Sequence, residues 1–258
     1  MPELPEVEVM RRNIEAHVLH AGLRKVDVLD PRLTTSLPQN WENAVVNNEL
    51  SETRRVGKYL FLFFGKTWLH LHFGMTGSIV FVPTNDHLPK YSRLALDFDN
   101  GLRMCFTDPR TFGKMDVVNR VESFLSTKKL GRDLLDATED DAKKMFVNRK
   151  ISAKAILLKQ KEVAGIGNWL ADEALFRQKI HPATPGGSLS ERKAQHLLDE
   201  AKRIAVEAID ADTHYGDFPD HFFVHHRKEN NDCPCGMGKI EKVQLAGRST
   251  YFCSTCQS

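Results

Sequence analysis

The chain has 258 residues, 41% hydrophobic and 27% charged, with a formal net charge of +2. That make-up is an ordinary globular protein with material for two domains or one large one. No apolar run approaches a membrane span, and the first residues are acidic where a signal peptide needs basic and apolar ones, so a protein of the cytosol or a nucleus is expected. A charge of +2 is too small to announce a nucleic-acid partner by itself, so the distribution of charge has to carry that argument.

The chain opens Met1-Pro2-Glu3-Leu4-Pro5-Glu6. A small residue at position two lets the initiator methionine be removed, leaving the secondary amine of Pro2 as the terminus. A terminal amine near pKa 8 is neutral in roughly one molecule in ten at pH 7, against about one in 2,500 for a lysine. It is the better-prepared nucleophile toward a carbonyl. Attack on a sugar aldehyde gives an iminium, whose positive charge acidifies the neighbouring C–H, and Glu3 and Glu6 are placed to move protons. The competing structural reading is that Pro2 blocks an extended terminus and Pro5 starts a helix. From Pro5 to His20 the apolar Val7, Met10, Ile14 and Val18 recur at helical spacing, predicting an amphipathic helix. Its N-terminal dipole favours the ionised forms of Glu3 and Glu6.

Beyond Leu23 the pattern changes to short β-rich runs: Lys58 to Phe64, Thr67 to Phe73, Gly77 to Val82, Tyr91 to Phe98, Leu102 to Thr107 and Lys114 to Val118. Asp99-Asn100-Gly101 predicts a hairpin turn. Strands without intervening helices argue for an antiparallel sandwich or barrel. Cys105, alone in an apolar run, is read as a buried small hydrophobe.

From Val121 the strands stop. Leu125 to Phe146 is helix-compatible, and Ser152 to Gln160 is a short helix. Ala164-Gly165-Ile166-Gly167 breaks it, and Asn168 is placed to cap a second helix running to about Gln178. The start of that helix offers N–H groups to an anion. Between Lys143 and Arg203 there are thirteen Lys or Arg against six Asp or Glu, an excess of seven positive charges. The excess supports phosphate binding, and a solvated helical face explains it as well. Leu189 to Ile209 predicts another amphipathic helix. The irregular stretch Asp212 to Asn231 carries His214, His221, His225 and His226, which lack metal-like spacing and are read as surface or packing residues.

The last stretch reads Cys233-Pro-Cys235, seventeen residues, then Cys253-Ser-Thr-Cys256. In a reducing compartment, two cysteine pairs around a hairpin-sized segment point to a tetrathiolate zinc ribbon rather than to disulfides. Four thiolates leave no open position, so one zinc ion would fold this tip and perform no catalysis. The first pair is one residue tighter than usual, which leaves room for Asp232 or a nearby histidine as first ligand. Arg248 lies on the segment leading into the second pair, available to a phosphate.

Six stretches in this order resemble the formamidopyrimidine-DNA glycosylase/endonuclease VIII family of base-excision repair enzymes, over essentially the whole chain. They are Pro2-Glu3-Leu4-Pro5-Glu6-Val7-Glu8, Arg55-Val-Gly-Lys58, His72-Phe-Gly-Met75-Thr-Gly, Asp108-Pro-Arg110-Thr-Phe112-Gly, Gly165-Ile-Gly-Asn168 through His181-Pro182, and Gly247-Arg248-Ser-Thr-Tyr-Phe-Cys253. The resemblance implies an α+β multidomain protein. Its expected parts are a catalytic antiparallel β-sandwich with an N-terminal helix over 1–120, a helix-two-turn-helix domain over 121–225 and a zinc ribbon over 226–258. It implies a bifunctional DNA glycosylase and AP lyase, acting as a monomer on duplex DNA with damaged bases or abasic sites and cutting the strand by β,δ-elimination.

In that family reading Pro2 attacks C1′, Glu3 protonates the sugar ring oxygen, and Glu6 assists. Lys58, Asn168 and Arg248 hold phosphates, joined by His72. Met75, Arg110 and Phe112 form the wedge that fills the gap left by a flipped nucleotide. Each has a structural competitor: Met75 and Phe112 as core, Lys58 as surface charge, Arg110 as a turn residue. Glu173 is read as structural, fixing Asn168 and the turn. The stretch Asp212 to Asn231 looks shorter than the loop covering oxidised purines in the bacterial enzymes, and Phe218-Pro219 with Phe222-Phe223-Val224-His225 is similar to plant and fungal members. Formamidopyrimidines, hydantoins and oxidised pyrimidines therefore stand beside 8-oxoguanine as candidate lesions, while Met75, Arg110 and Phe112 lean to purine repair. Two other classes are weighed. A non-catalytic damaged-DNA-binding protein would not need Pro2 and Glu3, and a zinc hydrolase would need an open metal position.

Overall fold

The computed structural model describes residues 1–34, 37–213 and 218–258. It forms two compact units, one comprising Met1–Pro2 and Glu6–Lys129, the other Glu3–Pro5 and Leu130–Ser258. The peptide bond between Pro2 and Glu3 therefore joins one unit to the other.

Helix α1 spans Leu4–Val18 and from Glu6 onward belongs to the first unit. Val7, Met10, Ile14 and Val18 are buried, as their spacing predicts. The strands that follow are β1 (Leu23–Val28), β2 (Leu50–Val56), β3 (Tyr59–Phe64), β4 (Thr67–His72), β5 (Ser78–Pro83), β6 (Ser92–Phe98), β7 (Leu102–Thr107) and β8 (Lys114–Val118). They form two four-stranded antiparallel sheets, β1-β6-β7-β5 and β2-β3-β4-β8. This is a sandwich, the first of the two architectures open to the sequence. Alternate residues supply the core: Leu60, Leu62 and Phe64 of β3, Leu69 and Leu71 of β4, and Leu94, Leu96 and Phe98 of β6. Strands β1 and β2 escaped the sequence reading. Both lie at sheet edges, and Arg24, Lys25 and Asp27 of β1 and Glu52, Arg54 and Arg55 of β2 replace the apolar alternation in them.

Helix α2 (Val121–Lys128) lays Phe124 edge-on to Phe61, 5.5 Å between ring centres, and against His70 at 4.5 Å. The run Leu125 to Phe146 is not one helix. Lys129 turns left-handed at φ 53° and ends α2, and the chain extends as β9 (Arg132–Asp133) before α3 (Glu139–Phe146) begins. The Asp141 carboxylate accepts the Thr138 N–H at 2.9 Å and closes the first turn of α3.

The second unit continues with α4 (Ala153–Leu157), capped by the Ser152 hydroxyl, and β10 (Val163–Ala164), paired parallel with β9. Helices α5 (Asn168–Arg177) and α6 (Glu191–Asp210) follow. Leu157, Ile166, Leu170 and Leu175 meet Leu197, Ala201, Ile204 and Ala208 in its core, the alanines letting α6 pack closely. A hairpin of β11 (Glu241–Leu245) and β12 (Arg248–Phe252) completes it. Ala246 and Gly247, both at positive φ, make the tight turn that matches strand twist. Among the described residues no helix is long and apolar enough to cross a membrane.

Candidate active site

In the first unit Pro2 is buried and Glu6 lies buried in the first turn of α1. Lys58 is the second residue of the two-residue turn between β2 and β3, and is only 9% exposed. His72 ends β4 directly opposite Lys114 of β8, with the Tyr59 ring 5.1 Å away. Its Nδ1 accepts the Gly74 N–H at 3.2 Å. Burial, then the charges of His70, Lys58 and Lys114, push its pKa down to about 4. It is therefore neutral near pH 7, and any phosphate it meets would receive a hydrogen bond without a positive charge.

Met75, Arg110 and Phe112 are brought together by a residue whose role the sequence did not disclose. Asp108 is fully buried, and its carboxylate accepts the Thr76 hydroxyl at 2.5 Å, the Arg110 N–H at 3.2 Å and the Gly113 N–H at 2.8 Å. One carboxylate thus ties the turn bearing Met75 to the loop bearing Arg110 and Phe112. Gly74, at φ 56°, lets the two backbones touch, since a Cβ there would sit 2.5 Å from the Phe112 carbonyl carbon. Phe112 is 50% exposed, with the Arg110 guanidinium 5.0 Å above its ring. An exposed phenylalanine on a loop so tightly tied is a poor core residue and a suitable wedge.

In the second unit the Glu3 carboxylate sits at the start of α5. It accepts the Trp169 N–H at 2.9 Å and the Leu170 N–H at 3.3 Å. These are orphan donors of a helix start, the groups that favour an anion. Gly167 is the capping residue, and a Cβ there would collide with the Glu3 carboxylate. Asn168 is therefore not the cap expected of it; it is the first helical residue, and its Nδ2 donates to the Ser249 carbonyl at 3.0 Å. That bond ties α5 to the residue after Arg248. Arg248 itself is exposed, and its guanidinium makes no ion pair among the described residues.

A buried ionic cluster supports this arrangement. Lys154 of α4 bonds Asp172 of α5 at 2.6 Å, both side chains fully buried, and donates to the Thr250 hydroxyl at 2.8 Å. Arg227 adds a second contact to Asp172 at 3.0 Å. Burial pushes Asp172 up and Lys154 down, each opposed by its partner. Lys154 and Arg177 sit inside such clusters, and Lys143, Arg149 and Arg203 are paired with Glu191, Glu162 and Glu200. Five of the six acids in this stretch are thus occupied in pairs, and the excess of seven positive charges is left over from them. Glu173 does not reach Asn168. It binds Arg177 at 2.8 Å and the Val224 N–H at 3.1 Å, anchoring the turn Phe223–His226. His221 pairs with Glu207, and His225 Nε2 bonds the carbonyls of Phe218 and Pro219, a packing role for both. His214 lies outside the described residues.

The Sγ atoms of Cys233, Cys235, Cys253 and Cys256 all lie within 4.8 Å of one another. Cys233 and Cys256 are 3.7 Å apart. A zinc–sulfur distance near 2.3 Å gives a tetrahedron edge of roughly 3.8 Å, so the donor set fits zinc. Burial pushes the Cys233 thiol up and that of Cys256 to about 12, while the hydrogen bond with Cys233 pulls Cys235 down to about 7. A bound cation lets all four ionise together. Asp232 is turned away, 88% exposed and paired with Lys239, so the tight Cys-Pro-Cys pair needs no substitute ligand.

Residues 1–115 match the family model of the formamidopyrimidine-DNA glycosylase N-terminal domain, residues 130–218 that of its H2TH domain, and residues 235–258 a zinc finger found in FPG and IleRS. With the thiol cluster, this makes one structural zinc ion part of the protein. The formamidopyrimidine-DNA glycosylase of Geotalea uraniireducens is 35% identical, covering 100% of both chains. That of Arabidopsis thaliana is 31% identical over 98% of this chain and 70% of its own length. A structure of MutM in complex with carbocyclic 8-oxo-G containing DNA superposes with a TM-score of 0.91 at 26% identity, covering 100% of each chain. A complex of the Lactococcus lactis Fpg with DNA containing an abasic site gives 0.91 at 25%, covering 99% of each. Full-length likeness in sequence, in domain order and in fold has one meaning: the chain belongs to the formamidopyrimidine-DNA glycosylase/endonuclease VIII family of DNA-repair glycosylases.

Proposed function

We propose that this glycosylase excises oxidised purines, formamidopyrimidines foremost, from duplex DNA and then cuts the strand at the resulting abasic site. The observation that supports it most is the Glu3 carboxylate fastened to the start of α5 by two backbone N–H groups, one residue along the chain from Pro2. With Met1 removed, the Pro2 nitrogen attacks C1′, the bond from C1′ to the base breaks, and the base leaves with a proton. Glu3 protonates the ring oxygen, the sugar opens, and the nitrogen lone pair completes the iminium. Loss of a C2′ proton expels the 3′ phosphate, a second elimination expels the 5′ phosphate, and water frees Pro2. Glu6 assists these proton transfers.

Lys58, His72, Asn168 and Arg248 hold phosphates, His72 as a neutral donor. Met75, Arg110 and Phe112 fill the space of the flipped nucleotide, offsetting an unstacking cost of a few kcal/mol. Zinc on the four cysteines keeps the β11–β12 hairpin folded and Arg248 with it. The proposed division of labour is a catalytic domain over 1–120, a DNA-gripping domain over 121–225 and a ribbon over 226–258, working as a monomer wherever genomic DNA lies, in a nucleoid or a nucleus. A second reading, with hydantoins or oxidised pyrimidines as main substrates, is favoured by the stretch after α6. There Phe218 packs on Trp169 at 4.7 Å and Phe222 at 6.2 Å, committing both rings to the core.

Borohydride trapping tests the proposal on duplexes carrying 8-oxoguanine, a formamidopyrimidine, a hydantoin, an oxidised pyrimidine or an abasic site. A covalent adduct with the native protein, lost or weakened in Pro2→Gly and Glu3→Gln, is the expected result, and its yield ranks the lesions. Binding without trapping on every duplex would leave a non-catalytic damage-binding protein as the better account.

A further inference from the structure

Lys58 sits on a turn of two residues, and a lysine on so short a connection depends on what holds the connection. Arg55, three residues earlier on β2, has a side chain only 6% exposed. Its Nη1 donates to the Gly57 carbonyl at 3.1 Å, the peptide group that leads into Lys58. Its Nε donates to Glu8 on α1 at 2.9 Å. Glu8 is nearly buried as well and is shared with Arg11, whose Nη2 lies 2.8 Å away. Burial works against the Glu8 charge, but Arg11 and Arg55 outweigh it and hold the carboxyl below its ordinary range. Arg11 in turn donates to the Thr53 hydroxyl at 3.1 Å, and Thr53 donates to Glu15 at 2.6 Å. Thr53 and Arg55, two residues apart on one face of β2, therefore both strap the strand to α1. Of these two straps, the one through Arg55 continues into the turn, at the Gly57 carbonyl.

We infer that Arg55 and Glu8 are positioning residues for Lys58, fixing the turn that carries its ammonium against the helix that follows Pro2. The planar guanidinium suits this because it serves the Gly57 carbonyl and the Glu8 carboxylate at once. A lysine has one point of charge and cannot replace it. The inference rests on the reading of Lys58 as a phosphate contact beside the reacting nucleotide.

The test is a double-mutant cycle on the full-length, zinc-loaded protein, read as single-turnover base excision with thermal melting of each variant alongside. Arg55→Met is expected to slow excision by about tenfold or more, the scale of an ångström-sized misplacement. In a Lys58→Met background the same change should have almost no further effect. Thr53→Val, which cuts the neighbouring strap, is expected to lower the melting temperature while leaving excision by the folded protein within about twofold of native, as for a contact remote from the chemistry. If Arg55→Met folds poorly, Arg55→Lys runs the same cycle, and Glu8→Gln, which keeps an acceptor, should retain most of the rate. Additive losses for Arg55 and Lys58 would reduce Arg55 to a fold contact and overturn the inference alone. An unchanged rate in Lys58→Met would overturn both the inference and the role given to Lys58.

Discussion

His72 carries a consequence of its surroundings that can be read in solution. Its pKa near 4 lies below the ordinary histidine value because burial and the nearby His70, Lys58 and Lys114 all oppose protonation. The folded protein therefore refuses a proton that the unfolded chain accepts. Stability from this group is complete above about pH 6.5 and is lost as pH falls toward 4, by at most about 1.4 kcal/mol per unit. His70, also lowered by burial though paired with Asp116, adds to the same slope. Melting temperature is predicted to fall between pH 6.5 and 4.5, and His72→Gln to flatten that fall. An unchanged slope in the variant would reject the assignment. The motif His72-Phe-Gly-Met75 was legible as a sequence. The charge state of its histidine was not, because that depends on burial and on the charges brought beside it by the β2–β3 turn and by β8.

At the scale of elements, the loops carrying Met75 and Phe112 act as one piece, joined by Asp108 and by the contact at Gly74. Gly74→Ala would force a Cβ onto the Phe112 backbone at a left-handed φ of 56°, at a cost of about 1–3 kcal/mol. The loops should part, and base excision from duplex DNA should drop more than excision of the same lesion from a single strand, where no stack has to be filled. Equal losses on the two substrates would argue against a wedge. Residue patterning showed where most strands run, because interior strands alternate. It missed β1 and β2 because Arg24, Lys25 and Asp27 in one, and Glu52, Arg54 and Arg55 in the other, break the apolar alternation, and it ran one helix through the break at Lys129, where only the pairing of β9 with β10 explains the extended backbone.

For the whole molecule, the zinc ribbon joins covalent order to Arg248, which opens β12; that strand ends at Phe252, one residue before Cys253 of the thiol cluster. Removing the metal with a chelator is predicted to release one zinc per chain and to abolish DNA binding and excision together. Reloading with cobalt should restore both, with a thiolate-to-cobalt absorption band, because the ion folds and does not react. Restored folding without activity would assign the metal a chemical part. By itself the sequence determined the kind of protein: the Pro2 terminus, the glycine-broken helix pair and the paired cysteines are local patterns whose chemistry needs no partner to be named. Tertiary structure alone decided who holds whom. Glu3, and not Asn168, satisfies the start of α5; Asp172 and Glu173 serve the fold; Asp108 ties the Met75 turn to the loop of Arg110 and Phe112; Asp232 is exposed and pairs with Lys239. Those outcomes turn on which carboxylate meets which donor, between residues as far apart as Glu3 and Trp169, and a sequence pattern carries no distance between them.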